Sequence, residues 1–478
     1  MSSCVSTWPL EPDRRSEPEI SQLSFSLEER LLDTVSDGVE FGNISFSPDG
    51  RHVAYTVYPQ GLGQGARKMV VDRQAGPEYD WLTHVQFSPD SRHWDYSAKR
   101  GDSYAVVTNG KERQSPGWTY YSLLSGACDG PYIFPVDMRR KVIVNGAESR
   151  EWDDISIIEM SDDHRRYAYF GRAGEKYYPV IDGMLGEPSD RDPSLPIRGT
   201  SDLMDSPMLS KSGNHVGYPV LKADAAFMVM DGRKDGPFTL IWPPVWSEDE
   251  SRFGYFAQYQ GKQRAVIDHQ IDDRFEVLGW TPVFSRDGKR VGFVGIDHDK
   301  QFPVIDGTRG PSYGEVGQIT FSPGGEHVAY VACDSAKPQH ERGYLKNAFV
   351  VLDGRRQNNY DAIEYLTFSG DGRHFAFSAR SGDRHLVIVD SIELMYLIRD
   401  DEEGLRASAF GLTFSPDHRH LCWYTYSGNR EAAVVLDGKI VDRSVSLCEE
   451  PRFDKDSKHI GFGVVKGREL WWKVVEVH

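Results

Sequence analysis

Cysteine is scarce in this chain: five among 478 residues, at Cys4, Cys128, Cys333, Cys422 and Cys448, with no C-x-x-C pair and no even framework. That excludes a disulfide-built fold and a thiolate metal site of ordinary spacing, and it leads us to expect free thiols in a reducing compartment. Long apolar runs are missing as well. No stretch nears the roughly 18 consecutive apolar residues of a membrane helix, so no membrane span is expected. Cations are outnumbered, 55 Lys and Arg against 72 Asp and Glu, for a net charge of −17. A general nucleic-acid binder needs a dense basic face, so nucleic acid is not an expected partner. The first residues, MSSCVSTWPLEPDRRSEPEI, hold no apolar core of a signal peptide, so the expected compartment is the cytoplasm, or the periplasm if a leader has been removed. Helical periodicity is nearly absent. Only Leu27–Val35 fits a short helix, and it fits a strand equally well.

What is present is a repeat. The pattern is an apolar pair, Phe-Ser, a turn, a basic residue, and a strand ending in an aromatic. It reads ISFSPDGRHVAYTV from Ile44, VQFSPDSRHWDYSA from Val85, PVFSRDGKRVGFVG from Pro282, ITFSPGGEHVAYVA from Ile319, LTFSGDGRHFAFSA from Leu366 and LTFSPDHRHLCWYT from Leu412. Weaker copies carry Ser161, Ser210, Ser247 and Asp454 at the serine position, and a degenerate copy is expected around Ser125. Counted from Ser47, that makes eleven units at a mean step of about 41 residues.

The second half of each unit is also regular. An apolar strand ends in Asp or Asn at Asp72, Asn109, Asn145, Asp182, Asp231, Asp268, Asp306, Asp353, Asp390 and Asp437, and seven of these ten precede Gly. Such pairs tolerate positive φ and favour tight primed turns between antiparallel strands. In Ser-Pro-Asp-Gly, Pro presets the first corner, Asp bonds back to the backbone and Gly takes the left-handed position. Each unit therefore holds four short strands: one ending at Phe-Ser, one of the HVAY type, one of the KMVVD type and one of the EYDWLT type.

Four antiparallel strands every 40 to 45 residues predict an all-β fold, a β-propeller of about eleven four-stranded blades. The last unit stops after its third strand, ELWWKVVEV, and a strand at about Leu27–Thr34 is placed to complete it. Residues 1–26 then form an N-terminal extension and 27–478 the propeller. The Pro- and Asp-rich insert 184–207 is the best internal boundary if there are two fused rings, divided 4+7 or 5+6. We favour one large ring, since no linker interrupts the repeat elsewhere.

The FSPDGRHVAY motif with its following VVxDG strand resembles the WD-repeat-like, TolB-like propeller repeats of many bacterial proteins. VVDRQAGPEYD from Val70 and VIDGTRGPSYGEV from Val304 are similar to the VVDG-x-x-GPEYD of uncharacterised bacterial relatives. The resemblance covers residues 43 to 478. It implies a binding scaffold, often associated with the cell envelope. Related propellers also cap serine peptidases, but with the last repeat running to His478 no hydrolase domain is expected here.

Candidate site residues divide into two groups. Seven histidines, His52, His93, His215, His327, His374, His420 and His459, share one repeat position. Blades hold them too far apart for one ion with ligands at about 2.0–2.1 Å, so no metal is expected. Acids of the first turns (Asp49, Asp90, Asp287) and second turns (Asp306, Asp353, Asp437) recur one per blade, which is turn chemistry and not a paired acid and base. No G-x-S-x-G, H-E-x-x-H or phosphate-binding loop occurs; the GLGQG at 61–65 lacks the Lys-Ser/Thr pair, and Asp297 and Asp299 are too sparse for a calcium loop. No cofactor is expected, and the balance leans against an enzyme.

The second group lies on the loops between second and third and between fourth and first strands, which vary most. The longest, 333–346, carries His340, Glu341, Arg342 and Tyr344. Two aromatic-proline segments, IWPPVW at 241–246 and GWTPVF at 279–284, offer Trp242 and Trp280 for stacking, and Glu449 and Glu450 stand at nearly the same place in another blade. The acidic 400–404 reads as a solvated loop. These residues point to a non-enzymatic scaffold that binds a protein or peptide through its variable-loop face. The alternative is a small-molecule or glycan-binding propeller, a hydrolase or lyase among the options, with its site at the central channel.

Overall fold

The computed structural model describes residues 25–35, 39–47, 51–59, 66–88, 90–115, 133–136, 141–144, 147–162, 165–193, 206–335, 340–341, 344–382, 384–396, 409–426, 432–444 and 446–478. Every regular element among them is a β-strand, and the strand pairs are antiparallel. The chain is all-β.

The first complete sheet shows how sequence sets the element. Val39–Phe46, Val53–Pro59, Arg67–Val71 and Gln74–Tyr79 pair in chain order as a meander. The second and third strands read as nearly continuous apolar runs, and Ala432–Leu436 of a later unit is buried at all five residues. Strands with a neighbour on both faces cannot alternate polar and apolar residues, because both sides must leave water. Gln74–Tyr79, at the sheet edge, is mostly exposed and correspondingly polar. The turn between third and fourth strands has positive φ at both central residues, 47° and 67° at Asp72 and Arg73, 49° and 78° at Asn109 and Gly110, the type I′ geometry that suits strand twist. The fourth strand starts directly after that turn and ends at Tyr79, while Trp81–Leu82 already belongs to the next sheet. The EYDWLT segment is therefore divided between two sheets, because the short turn leaves no room for the strand to begin later.

Ten hydrogen-bonded sheets occur among the described residues. One is eight-stranded, because the 14-residue strand Arg355–Phe368 serves as fourth strand of the unit marked by Ser322 and first strand of the unit marked by Ser369. The degenerate copy around Ser125 lies outside the described residues, and three short strands between Ile133 and Glu148 follow it. Between neighbouring sheets, first strands touch first strands: Val39–Phe46 meets Leu447–Phe453, Glu276–Phe284 meets Glu315–Phe321, and Ala409–Phe414 meets Arg355–Phe368. First strands crowd together and polar fourth strands lie at the opposite edge of each sheet, so the sheets are arranged radially with first strands inside. Serially stacked, radially disposed four-stranded meanders are the architecture of a β-propeller.

First strands are also interrupted midway. Register breaks fall between Gly42 and Ser45, Leu278 and Val283, and Val316 and Ile319. In the unit of Ser88 the strand is split into Trp81–Leu82 and Gln86–Phe87, and Thr83 Oγ1 accepts the Ser97 N–H at 2.8 Å across the gap. Apart from Arg355–Phe368, these first strands are inner sheet edges, and bulges of this kind blunt edges against pairing with another chain.

The segment Leu27–Val35 is a strand at all but its last residue. Phe25–Thr34 pairs with Glu469–Val477 from Phe25 opposite Val477 to Thr34 opposite Glu469, so it begins two residues before the expected start. Lys473, 2% exposed at its side chain, sits at this junction. Its Nζ lies 2.6 Å from Asp442 Oδ1 on the neighbouring sheet and 2.8 Å from Glu29 Oε1 on the N-terminal strand. Burial pulls the Lys473 ammonium down, but the bonds to Asp442 and Glu29 outweigh it and hold the group above its ordinary value. Removing the cation takes the Lys473 ammonium from Asp442, 8% exposed, and from Glu29 together. Lys473→Ala should therefore lower stability by about 3–5 kcal/mol, read as a shift of the urea midpoint. Glu29→Gln, at a site 37% exposed, should cost no more than about 1 kcal/mol. Equal costs for the two substitutions would contradict this assignment.

Candidate functional site

The repeated histidines and turn acids are bound to one another within their own units. Each marker serine accepts the N–H five residues on, at 3.0 Å from His52 to Ser47 Oγ and 2.9 Å from His374 to Ser369 Oγ. Each second-turn Asp then uses both oxygens. Asp390 Oδ1 accepts the Phe375 N–H at 2.9 Å and its Oδ2 meets His374 Nδ1 at 2.6 Å. The same clip joins His52 to Asp72, His215 to Asp231, His327 to Asp353 and His420 to Asp437, while His459 pairs with Asp454. Where arginine replaces histidine, at Arg166, Arg252 and Arg290, Nε takes the same carboxylate and Nη1 reaches a glycine carbonyl of the next unit. The Asp437 carboxylate raises the pKa of His420 above the usual histidine value against the opposing effect of burial. These positions serve the turns, and among the described residues no group of three or more His, Cys, Asp or Glu could hold a metal.

In one unit the clip is made by an amide: Asn109 Oδ1 accepts the Trp94 N–H at 2.9 Å and its Nδ2 meets His93 at 2.7 Å. Asp390→Asn should therefore cost under about 1 kcal/mol, whereas Asp390→Ala, which leaves the Phe375 N–H without an acceptor, should cost about 1–3 kcal/mol. Urea titrations of the two variants check this, and equal losses would show that charge, not the paired hydrogen bonds, carries the clip.

First-turn acids have a second device. The Ser88 hydroxyl holds Asp90 below the usual carboxylate range, and Ser247 does the same for Asp249. At Asp287 the Lys289 ammonium first, then the Ser285 hydroxyl, lower the pKa to about 2. A carboxyl depressed in the folded state contributes stability above its unfolded pKa and loses it as pH falls through the folded one. The urea midpoint should thus fall as pH drops from about 4 to about 2. A midpoint that stays constant down to pH 2 would refute it.

On the loop face, Trp242 is half-buried and packs against Phe256, Val277, Phe293 and Phe302, with its backbone N–H donated to the Phe256 carbonyl at 2.9 Å. Trp280 and Glu449 lie on first strands, Glu276–Phe284 and Leu447–Phe453. Glu450 is exposed and accepts the Tyr424 hydroxyl at 2.7 Å. The 333–346 segment is partly built as a strand pair, His340–Glu341 against Tyr344–Leu345, and His340 Nε2 lies 2.9 Å from Glu315 Oε1 at the start of its unit's first strand. Arg342 lies outside the described residues, as do 61–65 and 400–404. Trp242 and Glu450 are thus engaged with neighbouring sheets, and His340 with its own.

A cavity of about 720 Å³ opens elsewhere, where first strands of four consecutive units run into their first turns. Its walls are apolar: Met208, Val245, Trp246, Val283 and Phe321, closed by Pro244 and Pro282. Its rim carries Lys211, Glu248 and Arg286. Each of these follows a marker serine, the place where units marked by Ser47, Ser88, Ser322 and Ser415 have proline. The walls are seated by glycine on the preceding second strand. A Cβ at Gly254 would lie 2.7 Å from both Pro282 Cγ and Ile267 Cδ1, and one at Gly217 3.1 Å from Pro244 Cγ. Sequence inspection isolated the two prolines within IWPPVW and GWTPVF but fixed on the tryptophans before them. The legible signal was the run of units that replace the turn proline by a charged residue and carry glycine in HVGY, RFGY and RVGF.

No family model matches the chain, and no curated protein matches it. Solved structures similar to it include one described as the crystal structure of the eukaryotic initiation factor, 12% identical over 86% of this chain and 89% of that one, at a TM-score of 0.36. Another is the Dos1 propeller, 9% identical over 95% and 96% at 0.30. TolB from Acinetobacter baumannii is 12% identical over 73% and 80% at 0.25. It is the sheet order and packing of this chain, not these likenesses, that make it a β-propeller.

Proposed function

We propose that the chain is a non-enzymatic scaffold, one ring of eleven four-stranded blades that binds a protein or peptide partner at the inner wall of the units marked by Ser210, Ser247, Ser285 and Ser322. The ring reading is supported by the sheet completed by Phe25–Thr34, which packs on both flanking units: Phe462 and Val475 join Tyr424 and Val434 on one side, and Leu470 joins Val53 and Tyr55 on the other. It is supported further by the first part of the 184–207 insert. There Ser189 Oγ accepts the Leu221 N–H at 3.0 Å and Lys234 meets Glu187 at 2.7 Å, tying together the two units that a boundary would separate.

The cavity carries the binding reading. Four consecutive first strands border one apolar-walled hollow, and in three of their units the residue after the marker serine is charged and lines it. Its size falls in the range of a pocket that receives one or a few side chains. The loop-face residues around His340 and Glu450 form the second candidate surface, favoured by the strand pair that projects 340–345 from its sheet.

The test is an affinity pull-down from lysate of the source cells with three baits: intact chain, Lys211→Glu/Arg286→Glu, and a chain with 333–346 shortened to Gly-Ser. A stoichiometric protein kept by the intact chain and the shortened loop but lost from the charge-reversed bait is the expected result. Loss only on shortening the loop would move the surface to the loop face. Identical background from all three baits would refute the scaffold reading.

A further inference from the structure

Five consecutive units share a row of positions that the turns and the core leave unused. Four residues before each marker residue stand Gln318, Tyr365, Gly411, Glu450 and, across the junction of the two chain ends, Asn43. Each falls in the break of its first strand, outside the pairing register, and those strands meet one another in that order. Gln318, Tyr365, Gly411 and Glu450 are exposed and Asn43 is half-buried. Among the described residues the side chains of Gln318, Tyr365 and Asn43 make no hydrogen bond, unlike the serines, histidines and acids of the turns. One Glu450 oxygen accepts the Tyr424 hydroxyl at 2.7 Å, and no cation among the described residues pairs with that carboxylate.

Backbone strain marks the row. In the breaks φ is 47° at Asn43 and 61° at Gly411, a left-handed conformation that Asn and Gly tolerate, yet the unit of Ser369 places tyrosine there, at 27°. A bulky residue kept in that region costs stability, and such strain gathers at ligand sites. The Tyr365 ring is 38% exposed and lies 5.9 Å from that of Phe410, which stacks on Tyr424 at 5.8 Å. Gly411 leaves a gap beside it, since a Cβ there would lie 2.7 Å from Tyr424 Cε1. Beyond Glu450, Asn43 lines a cavity of about 670 Å³ together with Phe41, Ile44, Val465 and Arg468. None of the five row residues lines the inner-wall cavity.

These groups suit a neutral, polyhydroxylated ligand. Each amide offers donors and an acceptor, the phenol both, and the carboxylate an acceptor. Sugar hydroxyls donate and accept, so they match all of them, whereas a guanidinium or ammonium only donates and would leave the amide N–H groups without acceptors. The C–H face of a pyranose covers an open aromatic ring. Packed sheets lie about 10 Å apart, and three such steps separate Tyr365 from Asn43, more than one sugar ring spans. We propose that the row binds a linear oligosaccharide of neutral hexopyranose units. One ring stacks on Tyr365, and the chain crosses Gly411, bonds Glu450 and ends at Asn43 in the adjoining cavity.

Calorimetric titration of the full chain with maltotetraose, cellotetraose and N-acetylchitotetraose tests this. At least one should saturate, with its monosaccharide at least about tenfold weaker and with affinity unchanged between about 0.05 and 0.5 M salt, because the ligand carries no charge. Tyr365→Gly, which the left-handed backbone suits, should keep the fold by circular dichroism and weaken the best sugar about tenfold, while Tyr365→Phe stays within about threefold. Asn43→Gly should weaken it about threefold. No saturation by about 10 mM of any tetrasaccharide, a monosaccharide as tight as its tetramer, or an unchanged Tyr365→Gly would overturn the proposal. So would saturable binding of acetyl-arginine-methylamide in place of the sugars, which would assign the row to a cation. None of these variants alters Lys211 or Arg286, so this proposal and the inner-wall reading fail separately.

Discussion

Each unit depends on a carboxylate held in a left-handed turn. The Asp or Asn that closes the third strand sits at positive φ, near 47° to 50° in unit after unit, where its side chain points back over the start of the second strand. One oxygen takes the backbone N–H there, and the other takes the imidazole or guanidinium of the residue before it. The marker serine receives the N–H of that preceding residue. Both turns of a unit are thereby fastened to the same strand, so the sheet's register is set by polar contacts at its rim, while its faces remain free to be apolar. With the register set, large side chains such as Tyr255 and Phe377 can be buried completely between sheets.

Joining the units calls for different chemistry. Between neighbours the contacts are mostly apolar, supplemented by tyrosine hydroxyls that reach acids on an adjacent unit, as Tyr255 does to Asp235 at 2.9 Å and Tyr79 to Glu112 at 2.6 Å. At the junction of the two chain ends the apolar pattern admits a buried lysine. Lys473 can be tolerated there because two carboxylates from different segments converge on it, an arrangement that makes the pairing of Phe25–Thr34 sensitive to a single side chain. A wide set of inner edges would be a liability for aggregation, and the repeated interruptions of first strands are a structural answer to it.

In the units marked by Ser210, Ser247 and Ser285 a charged residue follows the marker serine and glycine stands on the second strand, as Lys455 and Gly461 do in the unit of Asp454, and in those three consecutive units the changes set the walls and rim of one cavity. Glycine lets the next first strand approach, and loss of the turn proline frees a position for charge.

The repeat, the strand count per unit and the primed turns were legible in the residues themselves because they are local: Asn-Gly and Asp-Gly favour one turn, and an apolar run of four or five residues flanked by turns is a strand in any setting. So was the structural duty of the histidines, whose recurrence at one position argued against a shared ion. The surroundings of Trp242 were not legible, because a half-buried tryptophan in the break of a first strand can pack on Phe256 of its own sheet and Phe293 of the next as readily as on a ligand, and nothing in IWPPVW tells the two apart. By itself the sequence determined what each unit is, since turns and strands answer to residues a few positions apart. Tertiary structure alone decided what the units do to one another. The cavity of Met208, Val245, Val283 and Phe321 and the meeting of Lys473 with Asp442 and Glu29 join residues tens to hundreds of positions apart, and only packing brings such groups within bonding distance.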